Sequence, residues 1–297
     1  MGKFNINFVG KFPVAVIFSI VLVSCAVGAF FTKGLNYGVD FRGGAEIHVR
    51  FQENIKLADL RDALSKAGFS SSSVQSIGDG THVDYLVKVN AAEENLNAVT
   101  DKITKMLTTH FTTEGASIEK TDIVGPKAGE QLRISGFQAM AWALLMIMIY
   151  IGLRFDYKYS PGAIVALVHD VLIIIGIFVL TDKEFSLQIV GALLAVIGYS
   201  VNDTVVVYDR VREHELISAG KGLKTQINTA LNETLSRTLL TSLTTFIVAC
   251  VMYLFGGGGI ADFFFAICIG VLIGTYSSMF VAAPTILFLD KFSGKNA

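Results

Sequence analysis

The sequence predicts a multi-pass α-helical membrane protein with six transmembrane helices and one small α+β domain outside the bilayer. Three observations predict it. The 297 residues are 52% hydrophobic and 16% charged, against roughly 25% charged in globular domains, and mean hydropathy is +0.57. Six segments are apolar over about the 20 residues that cross a bilayer. Between the first two, residues 32–136 hold 12 Lys/Arg and 14 Asp/Glu, about half of all the charges.

After a polar tail, 1–12, the first span covers 13–31. Lys3 and Lys11 precede it as in a signal peptide, but its apolar core is long and no small-x-small cleavage site follows, so it reads as a retained anchor. In the polar domain, Val39–Phe51 and His82–Val89 read as strands. Leu57, Leu60, Leu64 and Ala67 fall on one helical stripe; Leu96, Val99, Ile103, Met106 and Leu107 fall on another. Ile118–Val124 reads as a last strand. The order strand-helix-strand-helix-strand suggests a ferredoxin-like α+β domain, with Ser70–Ser73 and Gly78-Asp79-Gly80 as loops. Five spans follow at 137–153, 162–180, 187–208, 239–255 and 263–289, then a tail at 290–297. In the connection 209–238, Leu216, Ile217, Leu223, Ile227 and Leu231 among charges read as a helix lying on the membrane surface. Gly256–Gly259 lacks the Lys and Ser/Thr of a phosphate loop and reads as a flexible turn.

Lys and Arg set the orientation. Lys3, Lys11, Arg154, Lys158, Arg210, Arg212, Lys221, Lys224, Arg237, Lys291 and Lys295 lie in the tails and alternate loops, whereas the opposite short loops carry only Lys183. The positive-inside rule puts both termini in the cytoplasm and the polar domain outside.

Inside the spans, ionisable groups point to function, because a charge there costs about 3 kcal/mol or more. Asp203 lies about five residues from the cytoplasmic end of the fourth span. His169 and Asp170 lie about seven residues into the third, so at 1.5 Å per residue the depths nearly match. Arg237 stands at the cytoplasmic start of the fifth span. An arginine within reach of Asp203 favours the carboxylate and burial favours the neutral acid, the balance a proton carrier needs. The structural alternatives are an Asp203–Arg237 pair locking two helices, or an arginine snorkelling to headgroups. Ser200, Asn202, Thr204 and Ser242 supply polar groups for bonds across helices. Gly191, Ala195, Gly198 and Asn202 form a small-residue stripe for close helix approach.

Net charge is −1 with no basic tract, which argues against nucleic acid. Cys25, Cys250 and Cys268 sit in apolar segments without metal-ligand spacing and read as apolar packers. His48, His82, His110 and His214 are scattered and read as solvated surface. No nucleophile–base pattern and no cofactor motif emerges, so the chain does not read as an enzyme.

Four stretches carry a resemblance: Gly38-Val39-Asp40-Phe41-Arg42-Gly43-Gly44; Val124-Gly125-Pro126 with Gly129; Ala166-Leu167-Val168-His169-Asp170-Val171; and Gly198-Tyr199-Ser200-Val201-Asn202-Asp203-Thr204 running on to Glu213. With six spans and a first-loop domain, the chain resembles the SecD/SecF family of bacterial protein export, on the SecF side, within the RND superfamily. The resemblance implies an RND-type half that pairs with SecD and works with the SecYEG channel and YajC in the bacterial inner membrane. It implies use of the proton motive force to complete translocation of preproteins, with protons and membrane lipids as further partners. Asp203 is then the proton-carrying acid, Arg237 its switching partner, and Asp170 with His169 an extension of the pathway supported by Ser200, Asn202 and Thr204. Asp40, Gly43 and Gly44 form the family motif. The alternatives are a stand-alone RND-type exporter of small molecules or lipids, and a purely structural assembly factor.

Overall fold

A computed structural model describes residues 5–53, 55–69, 72–77, 83–89, 96–155, 159–217, 220 and 222–292. In chain order its elements are α1 (Phe8–Lys33), the single turn α2 (Val39–Arg42), β1 (Gly44–Phe51), α3 (Leu57–Lys66), β2 (Ser73–Ser76), β3 (Val83–Val89), α4 (Leu96–His110) and β4 (Ser117–Val124). Then come α5 (Pro126–Arg154), α6 (Ser160–Thr181), α7 (Leu187–Ile217), α8 (Leu223–Phe255) and α9 (Gly258–Ser277). A π-turn (Ser278–Ala282) leads into α10 (Ala283–Phe292). Among the described residues six helices are long and apolar enough to cross a membrane, the sixth running from Gly258 to Asp290.

The domain after α1 has one strand more than its sequence suggests. Its sheet has the order β2-β3-β1-β4 with antiparallel neighbours. Ser73–Ser76 escapes notice because only Val74 of its four residues enters the core. Val39–Phe51 is not one strand: Val39–Arg42 is a helical turn, and Gly43 breaks it at φ +81° before β1 begins. Residues 78–80 and His82 lie outside the described residues. Alternation on β1 and β3 turns Ile47, Val49, Phe51, Tyr85 and Val87 inward against Leu60, Leu64, Ile103 and Leu107. The other face carries Glu46, Arg50, Asp84 and Lys88, in the registered pairs Glu46–Lys88 and Arg50–Asp84.

That polar face looks towards one end of the helix bundle, here termed the outer end. Lys88 Nζ lies 3.0 Å from Glu184 and 3.5 Å from Glu46. Glu184 belongs to the α6–α7 turn, and the segment before α2 pairs with the same turn: Gly38 N–H donates to Phe185 O and Phe185 N–H to Asn36 O. Asp40 Oδ2 accepts from Leu187 N–H at 3.0 Å, capping α7. Gly43 lies flat on α5, where an added Cβ would stand 2.6 Å from Pro126 Cα. The second span is accordingly longer than its apolar stretch, since α5 starts at Pro126, an N-terminal position suited to proline. The Gly256–Gly259 run is a tight turn rather than a loose one: Gly257 takes φ +62°, and a Cβ there would meet Ile77 O at 3.2 Å.

At the inner end, no separate surface helix forms in the described part of 209–238. Instead α7 continues to Ile217 and α8 starts at Leu223. Their apolar residues have a better place to go, because Ile227, Leu231 and Leu235 pack with Val207, Tyr208 and Val211. Arg237 therefore sits 14 residues inside α8 rather than at its start. Asn228 and Asn232 of this extension bind the start of α1, accepting from Phe8 N–H at 2.8 Å and Ile6 N–H at 2.7 Å.

Candidate functional site

The helices α6, α7 and α9 meet around Asp170, which is 1% exposed. Asp170 lies 11 residues before the end of α6 and Ser200 13 residues after the start of α7. At 1.5 Å per residue they share a depth of about 17–20 Å from the outer end. Gly270 and Gly274 let α9 approach α7, since side chains there would strike Val196 and Ser200. One turn further on, Ser277 then reaches the acid. Ser200 Oγ donates to Asp170 Oδ2 at 2.6 Å and Ser277 Oγ donates to the same oxygen at 2.8 Å. His169 Nδ1 lies 3.0 Å from the other oxygen, Oδ1. The imidazole stacks on Tyr276 with centroids 6.1 Å apart, and its Nε2 has no hydrogen-bond partner. The π-turn starts at Ser278, directly after this contact, and such turns recur at functional sites.

Asp203 stands one helical turn further inward on α7 and is 3% exposed. Its surroundings differ from those of Asp170. Its Oδ2 has no hydrogen-bond partner, and neither do the buried hydroxyls of Thr204 and Thr238. Ser242 and the charge of Arg237 are the polar groups that act on it. The locked Asp203–Arg237 pair, the structural alternative, is not made: among the described residues no ion pair within 4.0 Å engages either side chain. Ser242, besides acting on Asp203, bonds Thr275 at 2.6 Å and accepts from Tyr199 at 3.1 Å. One acid is thus saturated with donors and locks three helices, and its neighbour is buried with an oxygen left open. Burying an unpaired polar atom costs about 1–3 kcal/mol, so the open oxygen of Asp203 is a costly feature for a fold to keep.

The structure brings together Asp170, His169 and Ser200, and separately Asp203, Thr204 and the neighbourhood of Arg237. Asn202 points away, on the exposed face of α7. Gly191 and Gly198 share that face and have no atom within 4 Å of an added Cβ, so the small-residue stripe packs nothing within this chain. Asp40, Gly43 and Gly44 lie at the outer end, where they join the sheet domain to α5 and α7. His48 and His214 are not simply solvated: His48 lies 3.3 Å from Asp84 and His214 2.8 Å from Glu233. Sequence reasoning missed Ser277 and Thr238. For Ser277 a signal existed in Gly270-xxx-Gly274-xx-Ser277, the small-residue spacing of a close helix contact. Cys250 and Cys268 face each other across α8 and α9 at 3.7 Å as free thiols. Among the described residues no cluster of His, Cys, Asp and Glu could hold a metal ion.

Residues 102–292 match the family model of the C-terminal region of the SecD/SecF protein export membrane protein, and residues 28–55 match the SecD/SecF GG motif. The chain belongs to the SecD/SecF family. It is 40% identical to protein translocase subunit SecF of Thermodesulfovibrio yellowstonii over 99% of this chain and 97% of that one. With SecF of Magnetococcus marinus identity is 42%, over 97% of this chain and 93% of the relative. The crystal structure of SecDF, a translocon-associated membrane protein from Thermus thermophilus, superposes with a TM-score of 0.82 at 32% identity. The match covers 98% of this chain but 39% of the solved one. Near-complete coverage of SecF relatives places this SecD/SecF-family chain as a multi-pass membrane subunit of Sec protein export, and does not favour a stand-alone exporter.

Proposed function

We propose that this export subunit pairs with SecD and uses the proton motive force to complete preprotein translocation, with Asp203 carrying the proton. The observation that carries the reading is a 3%-exposed carboxyl with one unpartnered oxygen, an arginine within electrostatic reach and no ion pair formed. Loading a proton removes the attraction to Arg237, and releasing it restores the attraction. The two charge states therefore favour two arrangements of α7 against α8. One charge crossing about 100 mV supplies about 2.3 kcal/mol, enough to bias such an equilibrium.

Asp170 and His169 act as the anchor of the pathway. Through Ser200 and Ser277 the Asp170 carboxyl makes α6, α7 and α9 move together. The cap of Asp40 on α7 and the contact of Lys88 with Glu184 carry that movement to the sheet domain. The open small-residue face of α7 suits a close-packed partner helix, which supports SecD as the partner. In this reading both termini are cytoplasmic, the sheet domain is extracytoplasmic in a bacterial inner membrane, and SecYEG, YajC and the moving preprotein are further partners.

The test is proton entry into vesicles holding this chain with SecD, under an imposed pH gradient and potential. Asp203→Asn should abolish the flux and leave membrane insertion and SecD pairing intact. Equal flux in variant and wild type overturns the assignment.

A further inference from the structure

From Asp203 inward, one edge of the α7–α8 seam is polar, beside the apolar contact of Val207 and Val211 with Ile227 and Leu231. Asp203, Arg210 and His214 recur on α7 at intervals of seven and four residues, one stripe at 3.6 residues per turn. Arg237 and Glu233 stand one turn apart on α8. Glu233 ties the two helices: its Oε2 accepts from Arg210 Nε at 2.5 Å and lies 2.8 Å from His214 Nε2. Beside the seam, between α5, α7 and α8, opens a cleft of about 520 Å³ lined by Asn202, Asp209, Arg210, Glu233, Arg237 and Arg154. Arg237 thus faces the cleft and also acts electrostatically on Asp203, which is itself buried behind it.

We propose that this cleft is the cytoplasmic outlet for the proton that Asp203 releases, with His214, held by Glu233, as the terminal acceptor; the proposal rests on Asp203 being the carrier. The proton leaves the Asp203 carboxyl, whose carboxylate then faces Arg237. It binds the imidazole of His214, giving an imidazolium against the Glu233 carboxylate, and passes from there to base in the cytoplasm. Imidazole suits a relay, since one ring nitrogen can take up a proton while the other stays hydrogen-bonded to Glu233. Burial pushes the Glu233 carboxyl up, but hydrogen bonds from Arg210 and His214 outweigh it and hold it below its ordinary value. Glu233 therefore stays an anion that orients the imidazole. The other charges around the pair are Asp209, Arg210 and Glu213 on its own helix, Arg237 on α8 and Arg154 on α5. In the cleft lining, Arg154, Arg210 and Arg237 stand against the carboxylates of Asp209 and Glu233.

The experiment measures proton flux in vesicles holding this chain with SecD, with cytoplasmic-side pH varied from about 6 to 8 at constant driving force. His214→Gln, which keeps a hydrogen-bonding side chain beside Glu233, should lower flux several-fold and flatten its dependence on cytoplasmic pH. Free imidazole added on the cytoplasmic side should restore the flux. Wild-type flux with an unchanged pH profile in His214→Gln overturns the outlet, and so does a loss that imidazole does not restore. Glu233→Gln should reproduce the loss in milder form, again rescued by imidazole. Asp203→Asn, run alongside, should be silent with or without imidazole; full flux there overturns the carrier assignment rather than the outlet.

Discussion

Replacing Lys88 with methionine is expected to loosen the sheet domain from the outer ends of the helices by about 3 kcal/mol. The Lys88 side chain is 12% exposed, between Glu184 at 3.0 Å, itself 14% exposed, and Glu46 at 3.5 Å. Burial pulls the Lys88 ammonium down, but Glu184 and Glu46 outweigh it and hold it above its ordinary value. A raised lysine contributes fully at neutral pH and loses its contribution only as pH rises through the folded value, so the contact is intact at physiological pH. Methionine keeps the stem's volume and removes the charge, leaving two carboxylates facing each other in a half-closed cleft. Breaking such a pair costs about 3–5 kcal/mol, and the residual solvent access argues for the lower bound. At 1.4 kcal/mol per tenfold, that is about a 150-fold shift in the docking equilibrium. Hydrogen exchange at Phe185 and Leu187, whose amides are bonded to Asn36 and Asp40 at this junction, should accelerate by roughly two orders of magnitude if undocking exposes them. Adding Glu184→Gln should recover most of the loss. An acceleration below about threefold in Lys88→Met, or no recovery in the double variant, would refute the reasoning.

Three further outcomes are expected. Gly43→Ala combines a left-handed φ of +81° with a Cβ 2.6 Å from Pro126 Cα, and should cost more than about 2 kcal/mol in thermal or denaturant stability. The control Gly34→Ala has φ +74° with no atom within 4 Å, and should cost only about 1 kcal/mol. Ser277→Ala removes a donor to buried Asp170 and should cost about 1–3 kcal/mol in detergent unfolding. Ser278→Ala, whose hydroxyl among the described residues bonds Thr275 O one turn back, should cost less than about 1 kcal/mol, roughly the net worth of an ordinary hydrogen bond. Hydrogen bonds from Arg50 hold the Asp84 carboxyl below its usual 3.8, so this pair stabilises the sheet domain above that pH and is lost as pH falls through the folded value. Arg50→Met should flatten the acid limb of the domain's stability curve, measured by hydrogen exchange of β3 between about pH 5 and 2.

Much of this protein was legible before any coordinates. Six apolar stretches and one charged insertion are a matter of composition, because a bilayer accepts only segments that satisfy their own backbone and carry few charges. The rarity of intramembrane charge singled out Asp170 and Asp203. Spacing resolved the helices α3 and α4 and most of the strands. Four short stretches, Gly198–Glu213 the most specific of them, together with the six spans and the first-loop domain carried the resemblance to the family. β2 was not legible, since its four residues contribute a single apolar side chain. The helical extensions at the inner end were not legible either. Charge density marks the edge of an apolar span, and here two helices continue past that edge because they bury Ile227, Leu231 and Val211 against each other.

The sequence by itself determined which segments are apolar enough to cross a membrane and which acids fall within them; both follow from transfer free energies that each residue carries with it. Only the tertiary structure decided how the acids differ. Asp170 is bound by Ser200 and Ser277, 30 and 107 positions away in the chain. Asp203, only three residues beyond Ser200, keeps an open oxygen and stands near an arginine it does not pair with. How a buried carboxyl is held depends on the donors that neighbouring helices present, and for Asp170 those are set by close approach at Gly270 and Gly274.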